Sequence, residues 1–158
     1  MKKIPLTQGQ FALVDDADYH WLNRGRWYAL YHPSTKSFYA QRKFQGKIIL
    51  MHRMILGLTP ADKKDGDHKN GVSLDNRRCN IRKCTRSQNL QNAHRVRAGT
   101  SKYKGVSFYK KTKKWQVHIM LDGKRKHLGY FHNESYAAHV YDTAAKQLYG
   151  EFACFNFK

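Results

Sequence analysis

Acidic side chains are scarce in this 158-residue chain: 11 Asp and Glu stand against 30 Lys and Arg, giving a net charge of +19 and a pI near 10.0. Such a balance calls for a polyanionic partner, although charge alone names no chemistry. Long apolar runs are also missing. Nothing approaches the ~18 apolar residues that cross a bilayer, and Met1-Lys2-Lys3-Ile4-Pro5 leads into polar sequence rather than a signal-peptide core. The expectation is therefore a soluble intracellular protein with no membrane partner, whose polyanion is nucleic acid. Cysteine is sparse. Cys79, Cys84 and Cys154 form an odd set, which argues against a disulfide framework and suits a reducing compartment. Fixed-period repeats and low-complexity tracts are absent.

The positive excess is not a tail. Residues 1–60 carry 9 basic and 3 acidic groups, 61–100 carry 10 and 4, and 101–158 carry 11 and 4, so the increments are +6, +6 and +7. Spread over segments that also hold Trp, Tyr and Phe, this charge describes folded units with basic faces. A hydrophobic content of 41% allows small cores rather than one large one, because segments of about 60 residues bury only about 60% of their unfolded surface.

Three textures follow one another. Residues 4–57 alternate apolar and polar groups in short runs such as Phe11-Ala12-Leu13-Val14 and Ser37-Phe38-Tyr39-Ala40, which read as short strands. Met51 to Leu58 is helix-like, with His52 as a structural partner. Residues 61–98 are rich in Asp, Asn, Arg and Lys, with one helix expected from Ser87 to about Arg97 and too little apolar content to fold by packing alone. A basic, small-residue stretch then suits a linker. The expected domains are 1–95, a linker at 96–102, and 103–158.

The polar middle concentrates chemistry in Asp67-His68-Lys69-Asn70-Gly71, Asp75-Asn76, Asn80 and Ser87-Gln88-Asn89. Carboxylate and amide oxygens such as those of Asp67 and Asn89 suit a hard divalent cation. An imidazole such as His68 can deprotonate water near neutral pH. Asn70-Gly71 signals a turn, making 65–83 a hairpin-like loop. Cys79 and Cys84 lack the second ligand pair of a zinc site.

The order Asp67-His68, Asn80, Asn89 resembles the strand-strand-helix metal motif of HNH homing endonucleases, here spanning 65–92. Leu6-Thr7-Gln8-Gly9, Val14-Asp15-Asp16-Ala17-Asp18-Tyr19 and Met51-His52-Arg53-Met54-Ile55-Leu56-Gly57 resemble the same family's N-terminal part. The resemblance implies His68 as general base, Asp67 and Asn89 as ligands of one Mg²⁺ (or Mn²⁺), and Asn80 as the residue that pins the loop and orients His68. Asn89 stands where the family name has His, a neutral amide ligand that favours hard Mg²⁺ or Mn²⁺ over Zn²⁺. A solvated Asp/Asn turn is the plainer alternative for such a cluster.

From Tyr103 the periodicity is regular. Trp115, Val117, Ile119 and Leu121 share one strand face, and Gln116, His118 and Met120 the other. Asp122-Gly123 is a tight hairpin signal, Lys124 to Phe131 pairs back, and Val106 and Phe108 supply a third strand. Asn133 caps a helix in which Ala137, Val140, Tyr141, Ala144, Ala145 and Leu148 recur at helical spacing, ending at Gly150. The fold class is therefore α+β: a small strand-rich part with a ββα-metal motif, then a three-stranded antiparallel sheet packed on one α-helix. The free sheet face is rimmed by lysines and fits a major groove about 12 Å wide.

Tyr103-Lys104-Gly105-Val106, Lys114-Trp115, Leu128-Gly129-Tyr130-Phe131, Ala137-Ala138, Tyr141-Asp142, Ala144-Ala145, Leu148-Tyr149-Gly150 and Asn156-Phe157 resemble the APETALA/ethylene-response-factor DNA-binding domain over about 101–158. The resemblance implies DNA contacts at Lys104, Ser107, Tyr109, Lys111, His118, Met120, Arg125 and His127. Most of that family's arginines are replaced, and Arg125 alone keeps a guanidinium suited to bidentate guanine contact. Together the two halves point to a DNA endonuclease of homing type, acting as a monomer on double-stranded DNA with no small-molecule organic cofactor, in the cytoplasm or nucleoid of a bacterial or phage-infected cell. A nick is the more economical product for one metal motif. The alternative is a non-catalytic, sequence-specific DNA-binding regulator with a degenerate HNH segment. A third possibility, an RNA-binding accessory, is weakened because single-strand recognition leans on aromatic platforms.

Overall fold

The computed structural model describes residues 1–33, 35–93 and 99–157. It is an α+β protein with small antiparallel sheets and, among the described residues, four α-helices. Contacts divide it into two compact units, Met1–Asn89 and Leu90–Lys158. The expected linker at 96–102 and the end of the helix expected to reach Arg97 fall partly on residues 94–98, outside the described ones.

In the first unit, β1 (Lys2–Pro5) and β2 (Phe11–Val14) form an antiparallel pair, and α1 (Asp16–Leu22) follows. A three-stranded meander comprises β3 (Tyr28–His32), β4 (Ser37–Phe44) and β5 (Lys47–Leu50), leading directly into α2 (Met51–Ile55). Then β6 (Asp65–His68) pairs antiparallel with β7 (Ile81–Cys84), and α3 (Arg86–Asn92) begins two residues later. The core is small: Ile4, Val14, Leu22, Trp27, Met51, Ile55 and Ile81 are buried with two alanines.

The polar stretch between β6 and β7 is organised by hydrogen bonds instead of packing. Asn80 Oδ1 accepts from the Asn70 N–H at 3.0 Å, and Asn80 Nδ2 donates to the Asp75 carbonyl at 2.7 Å. Arg77 donates twice to the Asp75 carboxylate at 2.7 Å, which holds that carboxyl below its ordinary range. Arg78 donates twice at 2.7 Å to Asp18 on α1, tying the loop to the core. Charge-assisted, bidentate bonds of this kind fix geometry where apolar area is lacking.

In the second unit, β8 (Val106–Tyr109), β9 (Lys114–Leu121) and β10 (Lys124–Phe131) form an antiparallel sheet in the order β10-β9-β8. Asp122 and Gly123 take φ of 49° and 75°, the two positive values of a type I′ hairpin. Helix α4 (Glu134–Tyr149) starts where Asn133 accepts the Tyr136 N–H at 2.8 Å. It buries Ala137, Ala138, Tyr141, Ala145 and Tyr149 against Val106, Val117 and Ile119. Leu148, expected inward, is 39% exposed, and Tyr149 takes the buried position, its hydroxyl donating to the Met120 carbonyl. Gly105 has φ 79°, and a Cβ there would lie 2.0 Å from the Tyr141 ring.

The end of the chain closes this unit. The Asp142 carboxylate accepts the backbone N–H groups of Asn156 and Phe157 at 2.9 and 3.0 Å, and Asn156 Oδ1 accepts the Lys104 N–H at 2.7 Å. Removing a partly buried carboxylate strands several donors, costing ~2 kcal/mol, so Asp142→Ala is expected to speed amide exchange in β9 and α4 about thirtyfold. Native-state hydrogen exchange measures this.

Candidate nucleic-acid interface

Helix α4 covers one face of the β8–β10 sheet. The other face is set by strand alternation and register. His118 stands opposite His127, Met120 opposite Arg125, and Gln116 opposite Ser107 on one side and Tyr130 on the other. Gln116 Nε2 donates to Ser107 Oγ at 3.1 Å, Arg125 Nη2 lies 3.1 Å from His118 Nδ1, and His127 Nδ1 lies 3.3 Å from His118 Nε2. The His127 ring is 4.6 Å from that of Tyr130, and Tyr130 is 5.6 Å from Tyr109. A continuous strip of a guanidinium, two imidazoles and two phenols therefore runs across the strands. Lys110, Lys111, Lys113, Lys124 and Lys126 are exposed in the turns and strand ends. Burial, then the charges of Arg125 and His127, holds the His118 imidazole below its ordinary value.

Of the residues expected to meet DNA, Ser107, Tyr109, His118, Met120, Arg125 and His127 lie on the sheet strands and Lys111 in the β8–β9 turn. Lys104 is different. Its ammonium donates to the carbonyls of Gln91 and Ala93, and burial lowers its pKa, so it works inside the unit rather than on an outer face. Two residues of the face are not among the expected DNA contacts. Gln116 is one, although its alternation with His118 and Met120 marks it. Tyr130 is the other: the register shifts between His127 and Gly129, so a β-bulge turns Leu128 and Phe131 to the core and Tyr130 outward. Gly129, with φ 136°, is the sequence trace of that bulge.

The polar middle of the first unit places Asp67 and His68 on β6, Asn80 at the end of the loop before β7, and Asn89 on α3. A reciprocal capping box starts α3: the Thr85 N–H donates to Gln88 Oε1 and the Gln88 N–H to Thr85 Oγ1. Asp67 accepts from Arg82 Nε at 2.9 Å, with both side chains about nine-tenths buried or more. Asn89 presents its amide donor to Asp65 Oδ2 at 3.0 Å. His68 Nε2 lies 3.3 Å from Asn76 Oδ1, and its ring stands edge-on to His52 with centroids 4.7 Å apart. Among the described residues no three or more His, Cys, Asp or Glu are grouped to hold a metal ion. A carboxylate neutralised by a guanidinium, with an amide turned donor-first toward a different carboxylate, does not fit the expected Mg²⁺ or Mn²⁺.

No family model matches the chain. Over 61 residues, 39% of its length, it is 43% identical to the AP2-like ethylene-responsive transcription factor TOE2 of Arabidopsis thaliana, covering 13% of that protein. The same identity and length hold for APETALA2-like protein 2 of Oryza sativa subsp. indica, of which 14% is covered. The chain thus spans about one seventh of the relatives it matches, and this stretch is homologous to AP2/ERF-type transcription factors. These relatives overturn the endonuclease expectation. The hydrolase and metal-binding assignments fall with it. A bacterial or phage setting has no support, since the relatives are plant proteins. No helix among the described residues is long and apolar enough to cross a membrane.

The buried imidazoles of the first unit still have a measurable consequence. Burial is the first cause that lowers both, well below the ordinary value for His52 and less so for His68. The folded state thus favours the neutral forms, while the unfolded chain takes up protons near pH ~6.5. Stability is fully present above that value and falls as pH drops below it. Denaturation midpoints followed by Trp21 and Trp27 fluorescence, in a Trp115→Phe background, should decline on acidification. His52→Gln should flatten the decline.

Proposed function

We propose that the chain is a sequence-specific regulator that binds double-stranded DNA through the open face of the β8–β10 sheet. The observation that carries this is the 43% identity over 61 residues to an AP2-like ethylene-responsive transcription factor and to an APETALA2-like protein. The open face supplies a surface of the right kind. A three-stranded ribbon is narrow enough for a major groove of about 12 Å, with base-reading groups along its centre and cations at its ends. In this reading Arg125 addresses a guanine, while Ser107, Tyr109 and Met120 line the base edges. Lys111 and its neighbours in the β8–β9 turn hold phosphate. The protein acts on one duplex as a monomer, and the Asp67-His68-Asn80-Asn89 segment takes no catalytic part.

Selection of bound sites from random duplexes tests the proposal. One preferred site should emerge, and its affinity should be unchanged by a metal chelator. Arg125→Ala is expected to relax one guanine position by about 1–3 kcal/mol. Lys111→Ala should weaken all sequences alike and reduce the salt slope by about 0.9. Enrichment of no sequence, or tighter binding to single-stranded RNA than to the selected duplex, would sink the reading.

A further inference from the structure

Arg125, His118 and His127 form a chain whose hydrogen-bond directions follow from the groups themselves. A guanidinium can only donate, so the 3.1 Å contact from Arg125 Nη2 makes His118 Nδ1 the lone-pair nitrogen. The neutral His118 ring then carries its proton on Nε2, which donates to His127 Nδ1 at 3.3 Å. His127 Nδ1 is then the accepting nitrogen of its ring, which leaves Nε2 as the donor. One donor-only residue thus fixes two tautomers in sequence, and the two rings lie with centroids 4.9 Å apart.

We propose, on the basis of the DNA-binding reading above, that His118 and His127 are positioning residues that hold the Arg125 guanidinium for bidentate reading of a guanine. Arg125 is exposed, and an exposed arginine without an acceptor samples many rotamers. An imidazole lone pair behind one terminal nitrogen keeps the fork in one orientation while leaving its other N–H groups available for the O6 and N7 of the base. The contribution is pre-organisation, which sharpens discrimination between bases and leaves general attraction to phosphate almost untouched.

The surroundings of His118 make the arrangement sensitive to acid. From β10 it faces Arg125 and His127, and along β9 its neighbours on the same face are the uncharged Gln116 and Met120. On the β8 side its N–H donates to the Gly105 carbonyl, and glycine brings no side chain. No carboxylate is among these neighbours to stabilise an imidazolium, so His118 is neutral near pH 7. Protonating Nδ1 removes the acceptor and places a second cation against Arg125.

The test uses the full chain and two duplexes, the selected site and the same site with 7-deazaguanine in place of the guanine read by Arg125. At about pH 7.5 the parent is expected to favour the natural base about tenfold, the range of one bidentate contact. His118→Leu should lose that preference, about tenfold, at about pH 7.5. His118→Gln, whose side-chain carbonyl can accept but not titrate, should restore the preference. The parent's preference should shrink toward about pH 5.5 and that of His118→Gln should not. If His118→Leu discriminates as the parent does, with the same pH profile, the positioning role is wrong and the DNA-binding reading stands. If the parent itself prefers no duplex, the DNA-binding reading falls and the positioning role with it.

Discussion

Asp18, Asp67, Asp75 and Asp142 each turn a carboxylate into the protein, where it meets a guanidinium or backbone N–H groups at 2.7 to 3.0 Å. In a chain of +19 charge this inward use of acids is the interaction on which both units depend. The first unit has a modest apolar core, and its long β6–β7 loop is held by Asp75 with Arg77 and by Asp18 with Arg78. The second unit closes its chain end through Asp142. Carboxylates placed this way meet their partners where the dielectric is low and the bond is strongest.

The two cations divide accordingly. Arg77, Arg78, Arg82 and Arg86 pair with Asp75, Asp18, Asp67 and Asp65. Arg42 lies over the Trp27 ring with 4.6 Å to its centroid. Planar, fork-like groups serve where direction matters, and lysines supply diffuse charge in the turns and strand ends of the second unit's sheet. Arg125 is the exception, a guanidinium on the outer face of that sheet whose partner is an imidazole instead of a carboxylate. A carboxylate there would satisfy the arginine and cancel its charge. An imidazole holds it and leaves the charge in place.

Much of the second unit was legible because its signals are local. Asp122-Gly123 dictates a hairpin, Asn133 and Gly150 bracket α4, and the alternation around Val117 and Ile119 assigns the buried face. What escaped depends on neighbours distant in sequence. Tyr130 reaches the outer face through a bulge in the β9–β10 register. Lys104 has the composition of a phosphate contact, and only the carbonyls of Gln91 and Ala93 reveal its place. Leu148 kept the helical period yet yields the core to Tyr149, whose hydroxyl can bond Met120. In the first unit the short strands were readable from alternation, but the pairing of the loop with α1 through Arg78 and Asp18, 60 residues apart, was not.

The polar middle separates two kinds of information that a motif carries. Turn residues, a capping box and strand spacing determine backbone, and β6, β7 and α3 follow from them. A two-stranded sheet followed by a short helix does not by itself make a metal site, because a ligand is defined by what else its oxygen meets. The pairing of Asp67 with Arg82 follows from the β6–β7 register, in which those two residues stand directly opposite. Arg82 lies outside the four-position pattern, and so does Asp65, which takes the Asn89 amide. Spacing alone weighs Asp67 as a free carboxylate. With a nearly buried guanidinium beside it, the same residue is one half of an ion pair that braces the hairpin, and its charge is already answered before any cation arrives.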